Sequence, residues 1–64
     1  MNAFREMRIT ANMTQAEVAL ALNVDQTAVS QWETGASKPR IDRLLKLAKL
    51  YGCTVDDLMK EERV

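Results

Sequence analysis

Gln26, Thr27, Ser30, Gln31 and Thr34 recur at helical spacing in "DQTAVSQWETG". Once Val29 and Trp32 turn inward, these five residues form an outward stripe of neutral hydrogen-bonding side chains, with neither Lys nor Glu in it. Such a surface can exchange hydrogen bonds with base edges. A Gln amide bonds adenine in a bidentate way, and a Thr bonds an edge or touches a thymine methyl. An ordinary solvated polar face has the same composition, and the helical wheel alone leaves both readings open.

Catalytic chemistry has little to work with. There is no His, so Cys53 has no imidazole with which to form a nucleophile–base pair. Asp56–Asp57 and Glu61–Glu62 are neighbours in sequence, and on a helix neighbours diverge by about 100° rather than converging on a substrate. One Cys and no His do not make a zinc site of the usual kind. The expectation is a protein that is not an enzyme and holds no cofactor or metal. A lone Cys forms no internal disulfide, which suits a reducing cytoplasm, and Cys53 reads as a small buried hydrophobe.

The elements that would position the stripe are short helices with short breaks. Asn2 can cap a first helix to about Ala11, with Phe4, Met7, Arg8 and Ala11 on one face. Asn12 follows where a left-handed residue commonly closes a helix. "TQAE" predicts a capping box between Thr14 and Glu17, opening a second helix that buries Val18, Ala19 and Leu22. In "LNVDQ", Asn23 tolerates positive φ and turns the chain, Val24 plugs the turn, and Asp25 caps the third helix. That helix runs from about Gln26 to Thr34 and ends at Gly35. After "GASKPR", a fourth helix from Ile41 to Tyr51 points Ile41, Leu44, Leu47, Ala48 and Tyr51 inward. Gly52 ends it. Thr54 caps a fifth, with Val55, Leu58 and Met59 on its apolar side, and residues 60–64 are expected to fray.

Nine basic and nine acidic residues cancel in the total but not along the chain. Residues 1–34 and 52–64 each carry a net −2, whereas 35–51 carry +4 through Lys38, Arg40, Arg43, Lys46 and Lys49 against Asp42. The longest apolar run is "VALAL", far short of the roughly 18 residues of a membrane span, and "MNAFREMR" lacks the apolar core of a secretory signal. The expected location is cytoplasmic, with no membrane partner. At 64 residues the chain is expected to be one domain with a small core.

The stretch "TQAEVALALNVDQTAVSQWETG" resembles the helix-turn-helix of the lambda-repressor-like family, of the XRE or Cro/repressor type. The likeness continues through "KPRIDRLLKLAKLYGCTVDDLM" and covers about Phe4 to Met59; "TQAE", the short turn, "QWETG" and "LLKLAKLYG" all fall at the family's spacing. The resemblance implies an all-α fold, a five-helix domain over residues 1–64 with its motif at about 14–34. It also implies a sequence-specific transcriptional regulator, with repression the expected sign, that reads double-stranded DNA through the third helix.

Carried over by position, the resemblance gives base contacts to Gln26, Thr27 and Gln31, with Ser30 a lesser candidate. Phosphate contacts fall to Thr14, Gln15, Lys38, Arg40 and Arg43. The Gln15 amide lies at the positive end of the second helix, a suitable place for an anion. Arg8 and Glu33 match a structural ion pair. Two departures stand out: Asn23, and often Asn12, replace the family's Gly, and the third helix lacks the Arg or Lys common there. The missing charge lowers the expected electrostatic affinity and shifts the expected preference toward A·T contacts.

Repressors similar to this chain pair near the fifth helix, where Leu50, Val55 and Met59 exceed what a small core hides. The expected assembly is a homodimer on an inverted repeat, with half-sites about 34 Å apart. No small-molecule ligand is expected. The rival reading is a protein-interaction module, or an antitoxin-like protein, on the same fold; Leu20, Leu45 and Leu50 exposed together would favour it.

Overall fold

Asn2 starts the first helix by accepting a hydrogen bond from the Arg5 N–H at 3.2 Å on its Oδ1. The computed structural model describes residues 2–59 and contains five helices in that range. They are α1 (Ala3–Thr10), α2 (Gln15–Leu22), α3 (Gln26–Thr34), α4 (Ile41–Tyr51) and α5 (Val55–Met59). The tail expected to fray lies outside the described residues. Among those residues there is no strand, and no helix is long and apolar enough to cross a membrane.

Most helix ends have a local cause. Asn12 and Asn23 adopt φ of 61° and 59°, the left-handed conformation that few side chains tolerate. At the second of these, the Val24 N–H reaches back to the Ala19 carbonyl at 3.0 Å and the Asn23 N–H to that of Leu20 at 3.2 Å. Crossed bonds of this kind satisfy carbonyls that a helix end otherwise leaves open, and they let α2 meet α3 after three residues. Gly35 and Gly52 close α3 and α4 at φ of 86° and 71°. The Thr14–Glu17 box is complete: the Glu17 N–H donates to Thr14 Oγ1 at 3.1 Å, and the Thr14 N–H to Glu17 Oε1 at 2.8 Å. A second box, between Thr54 and Asp57, opens α5 at 3.1 Å in both directions.

The core is built from Val18, Ala19, Leu22, Val29, Trp32, Leu44, Leu47, Ala48 and Leu58. Phe4, Met7, Met13, Val24, Tyr51 and Cys53 pack around it, half-buried. The pairing of α2 with α3 is the most extensive between helices among the described residues. Ala3, which carries no periodic signal of its own, is buried in the first turn of α1.

Two expectations are corrected. Ile41 is 65% exposed rather than inward. It shares a face with Leu45, four residues on and 55% exposed, and that face lies to one side of the one that buries Leu44, Leu47 and Ala48. Asp25 holds the extended backbone of a capping residue, yet its side chain makes no cap hydrogen bond. Thr14 and Thr54, also exposed, do make theirs. On α5, Leu58 enters the core while Met59, expected to exceed what the core hides, is 48% exposed, because five residues make little more than one turn.

Candidate nucleic-acid interface

The outer face of α3 follows from what its inner face holds. Val29 is 1% exposed and Trp32 6%, which fixes the helix's rotation. Gln26, Thr27, Gln31 and Thr34 are then exposed together, while Ser30 is half-buried at the edge of the stripe. Loop 35–40 is tied to this helix. The Gly35 and Ser37 N–H groups both donate to the Gln31 carbonyl, at 3.0 and 3.3 Å, and Ser37 Oγ reaches Gln31 Oε1 at 3.5 Å. The loop carrying Lys38 and Arg40 is thereby held beside the polar stripe. This tether has no sequence signature beyond a Ser near a helix end.

Behind the stripe sits an ion pair. Arg8 on α1 donates from Nε to Glu33 Oε2 at 2.6 Å and from Nη2 to Glu33 Oε1 at 3.0 Å. Its Nη1 donates to the Met13 carbonyl at 2.9 Å, so one guanidinium pins both α3 and the turn after α1. The side chains are 13% and 3% exposed, and the bidentate geometry is the strong form of such a contact. The hydrogen bond to Glu33 raises the Arg8 pKa further above its ordinary value. Asn2 adds a second strut from α1, its Nδ2 donating to the Trp32 carbonyl at 2.8 Å.

Gln15, at the start of α2, lies between the ion pair and the stripe. Its Nε2 donates to Glu33 Oε1 at 3.0 Å, and its Oε1 accepts from Gln26 Nε2 at 3.4 Å. Thr14 is exposed beside it, its hydroxyl engaged in the capping box. Arg40 is exposed at the start of α4, and Lys38 is exposed in the loop. Arg43 is half-buried and faces Asp42 at 3.8 Å, a distance worth little at a surface. Leu50 and Val55 are half-buried against the chain's own core, leaving Met59 the exposed member of that apolar trio. Among the described residues no group of His, Cys, Asp or Glu is arranged to hold a metal.

Tyr51 is half-buried close to the ion pair, and its phenol is pushed up to about 12, first by burial and then by the Glu33 charge. The protonated phenol is thus favoured in the folded state, while the unfolded chain titrates near the ordinary 10. Stability from this group is intact below pH 10 and is lost as pH rises from 10 toward 12. Because the chain has one Tyr, absorbance at the tyrosinate band reports it alone. The expected midpoint is about 12 in the native protein, and Tyr51→Phe should flatten the fall in urea midpoint across that window. A native midpoint near 10 would sink the assignment.

A helix-turn-helix family model matches residues 4–58. The chain belongs to the XRE-type helix-turn-helix family. Within that family, α2 and α3 are the two helices of the motif and Asn23 its turn residue. The chain is 33% identical over 60 residues to an HTH-type transcriptional activator, BcrR, of Enterococcus faecalis, covering 94% of this chain and 29% of the relative. It is 30% identical over 57 residues to the cryptic phage CTXphi transcriptional repressor RstR of Vibrio cholerae, covering 89% and 51%. It is 37% identical over 60 residues to the HTH-type transcriptional regulator ImmR of Bacillus subtilis (strain 168), covering 94% and 47%. The chain thus spans between about a third and a half of the length of these helix-turn-helix relatives. No solved structure matches it at a significant level.

Proposed function

We propose that this helix-turn-helix chain is a sequence-specific DNA-binding regulator of transcription that sets α3 in the major groove and acts in the cytoplasm. The observation that carries the reading is the uncharged outer face of α3, with Gln26, Thr27 and Gln31 exposed on it beside a tethered loop carrying Lys38 and Arg40. Neutral donors and acceptors read base edges, and cations on the flank hold phosphates and set the register. Gln15 and Thr14, at the start of α2, add phosphate contacts where the helix dipole favours an anion. Arg43 joins them once it leaves Asp42. The names of the relatives, two regulators of stated opposite sign and one of unstated sign, support regulation; we take repression as the sign here.

One module buries only about 600–1,000 Å² on DNA, which favours two copies on an inverted repeat. In this reading the copies meet near the end of α5, through Met59 with the outer edges of Leu50 and Val55. Selection of sites from a random duplex pool tests the whole proposal. The expected result is an enriched inverted repeat with half-sites about one helical turn apart. A folded protein that enriches nothing would refute it.

Gln26→Ala should cost about 1–3 kcal/mol on the selected site and flatten the preference at one position of each half-site. Lys38→Ala and Arg40→Ala should instead weaken all sequences alike and reduce the salt slope by about one each. Titrations of selected and scrambled duplexes at several salt concentrations separate the two behaviours. If Gln26→Ala binds the selected duplex as tightly as the parent, α3 is not the reading element.

A second reading, a protein-docking module, draws on Leu20, which is 84% exposed on the side of α2 away from Val18 and Leu22. Of the other two leucines that would build such a face, Leu45 is exposed and Leu50 half-buried. Binding through that apolar surface would hardly respond to salt, whereas phosphate contacts respond steeply.

A further inference from the structure

Glu33 accepts hydrogen bonds and donates none, and it lies at the end of a chain that reaches the proposed reading residue. A carboxylate oxygen facing Gln15 obliges Gln15 to turn its NH2 toward it, at 3.0 Å, and so to turn its carbonyl oxygen the other way. That oxygen faces Gln26, which presents its own NH2 to it at 3.4 Å. The bonds all run one way, from Gln26 to Gln15 to Glu33, and the Arg8 fork holds the far end from the other side. A flipped amide at either glutamine would set two acceptors against each other.

We propose that Glu33 is a positioning residue that fixes which base Gln26 reads, by dictating the direction of its amide through Gln15. The inference rests on the proposed reading of DNA by α3. With one N–H committed to Gln15, Gln26 keeps an outer edge made of its carbonyl oxygen and its second N–H. Adenine matches that edge: its N6 amine donates to the oxygen and its N7 accepts from the N–H. Guanine offers two acceptors, O6 and N7, and one of them would face the Gln26 oxygen. The ordered chain therefore selects adenine over guanine at the position Gln26 faces. Glu33→Gln removes the constraint, because an amide there can donate as well as accept and the two glutamines can reverse together.

The test is base preference at every position of the selected site, measured by competitive binding for the parent, Gln26→Ala, Glu33→Gln and Gln15→Met, with a thermal melt of each. Gln26→Ala locates the position. Both other variants are then expected to lower the adenine-to-guanine ratio there by about fivefold or more, the lower bound of what one bidentate contact discriminates, while other positions keep their ratios. A purely structural role for Glu33 would instead weaken all sites evenly and leave that ratio unchanged, which overturns the proposal. Gln15→Met leaves the Arg8–Glu33 pair in place, so it decides the matter if Glu33→Gln does not fold. If Gln26→Ala flattens one position and Gln15→Met leaves the adenine preference there intact, only the amide-direction inference falls. If Gln26→Ala changes no position, the α3 reading falls with it.

Discussion

Arg8→Ala is expected to lower the folding free energy by about 3–5 kcal/mol, enough to leave the domain largely unfolded at room temperature. The reason is the partner left behind. Glu33 has a side chain only 3% exposed, and without the guanidinium its carboxylate would keep, among the described residues, a single donor, the Gln15 amide. An ionised group in that position meets a desolvation cost that one neutral hydrogen bond does not offset. The guanidinium also holds the Met13 carbonyl, so the turn that follows α1 loses its strut at the same time. A core of this size supports a net stability of only about 3–5 kcal/mol, so the loss is comparable to the whole. Urea unfolding followed by circular dichroism checks this. Arg8→Lys, which keeps the charge but not the fork, should fall between parent and alanine variant. The pair Arg8→Met with Glu33→Leu should recover much of the loss, because removing both charges removes the burial cost. A loss below about 1 kcal/mol for Arg8→Ala would mean that water reaches the pair and screens it.

Leu47→Ala is the second large effect, at about 2–5 kcal/mol. Leu47 is completely buried at the centre of α4, in the cluster with Val18, Val29 and Leu58. Truncation removes apolar contacts and leaves a void that short helices with few neighbours cannot readily close. Ile41→Ala on the same helix provides the contrast. At 65% exposed, Ile41 loses little on truncation, and its variant should stay within about 0.5 kcal/mol of the parent. Thermal melts of the two variants side by side settle the comparison; equal losses would place Ile41 in the core after all.

These two residues also show where the sequence was legible and where it was not. Most helix ends are legible because they are written in residue types with a local mechanism. Thr14 and Glu17 cap reciprocally, and Asn12, Asn23, Gly35 and Gly52 all take positive φ. Periodicity places Leu47 correctly. It misplaces Ile41 because a helical wheel gives an angle but not the depth at which that part of the helix meets its neighbours. The polar stripe on α3 followed from the wheel, since Val29 and Trp32 leave one orientation. The bond from Gln15 to Glu33 did not, because residues 18 apart meet only through the crossing of α2 and α3. The tether from Ser37 to Gln31 was equally silent, being a matter of loop path rather than residue pattern.

The separation of charge between helix and loop has a consequence for how the molecule would behave in a crowded genome. The outer face of α3 is neutral, and the basic residues of the adjoining segment are Lys38, Arg40 and Arg43. On the proposed reading, the right and the wrong duplex engage the same cations and release the same counterions. A rise in ionic strength then shortens the residence on both by one common factor. Occupancy becomes a dial turned by the medium, while the ratio by which an operator outcompetes its background is fixed by amides and hydroxyls that salt does not touch.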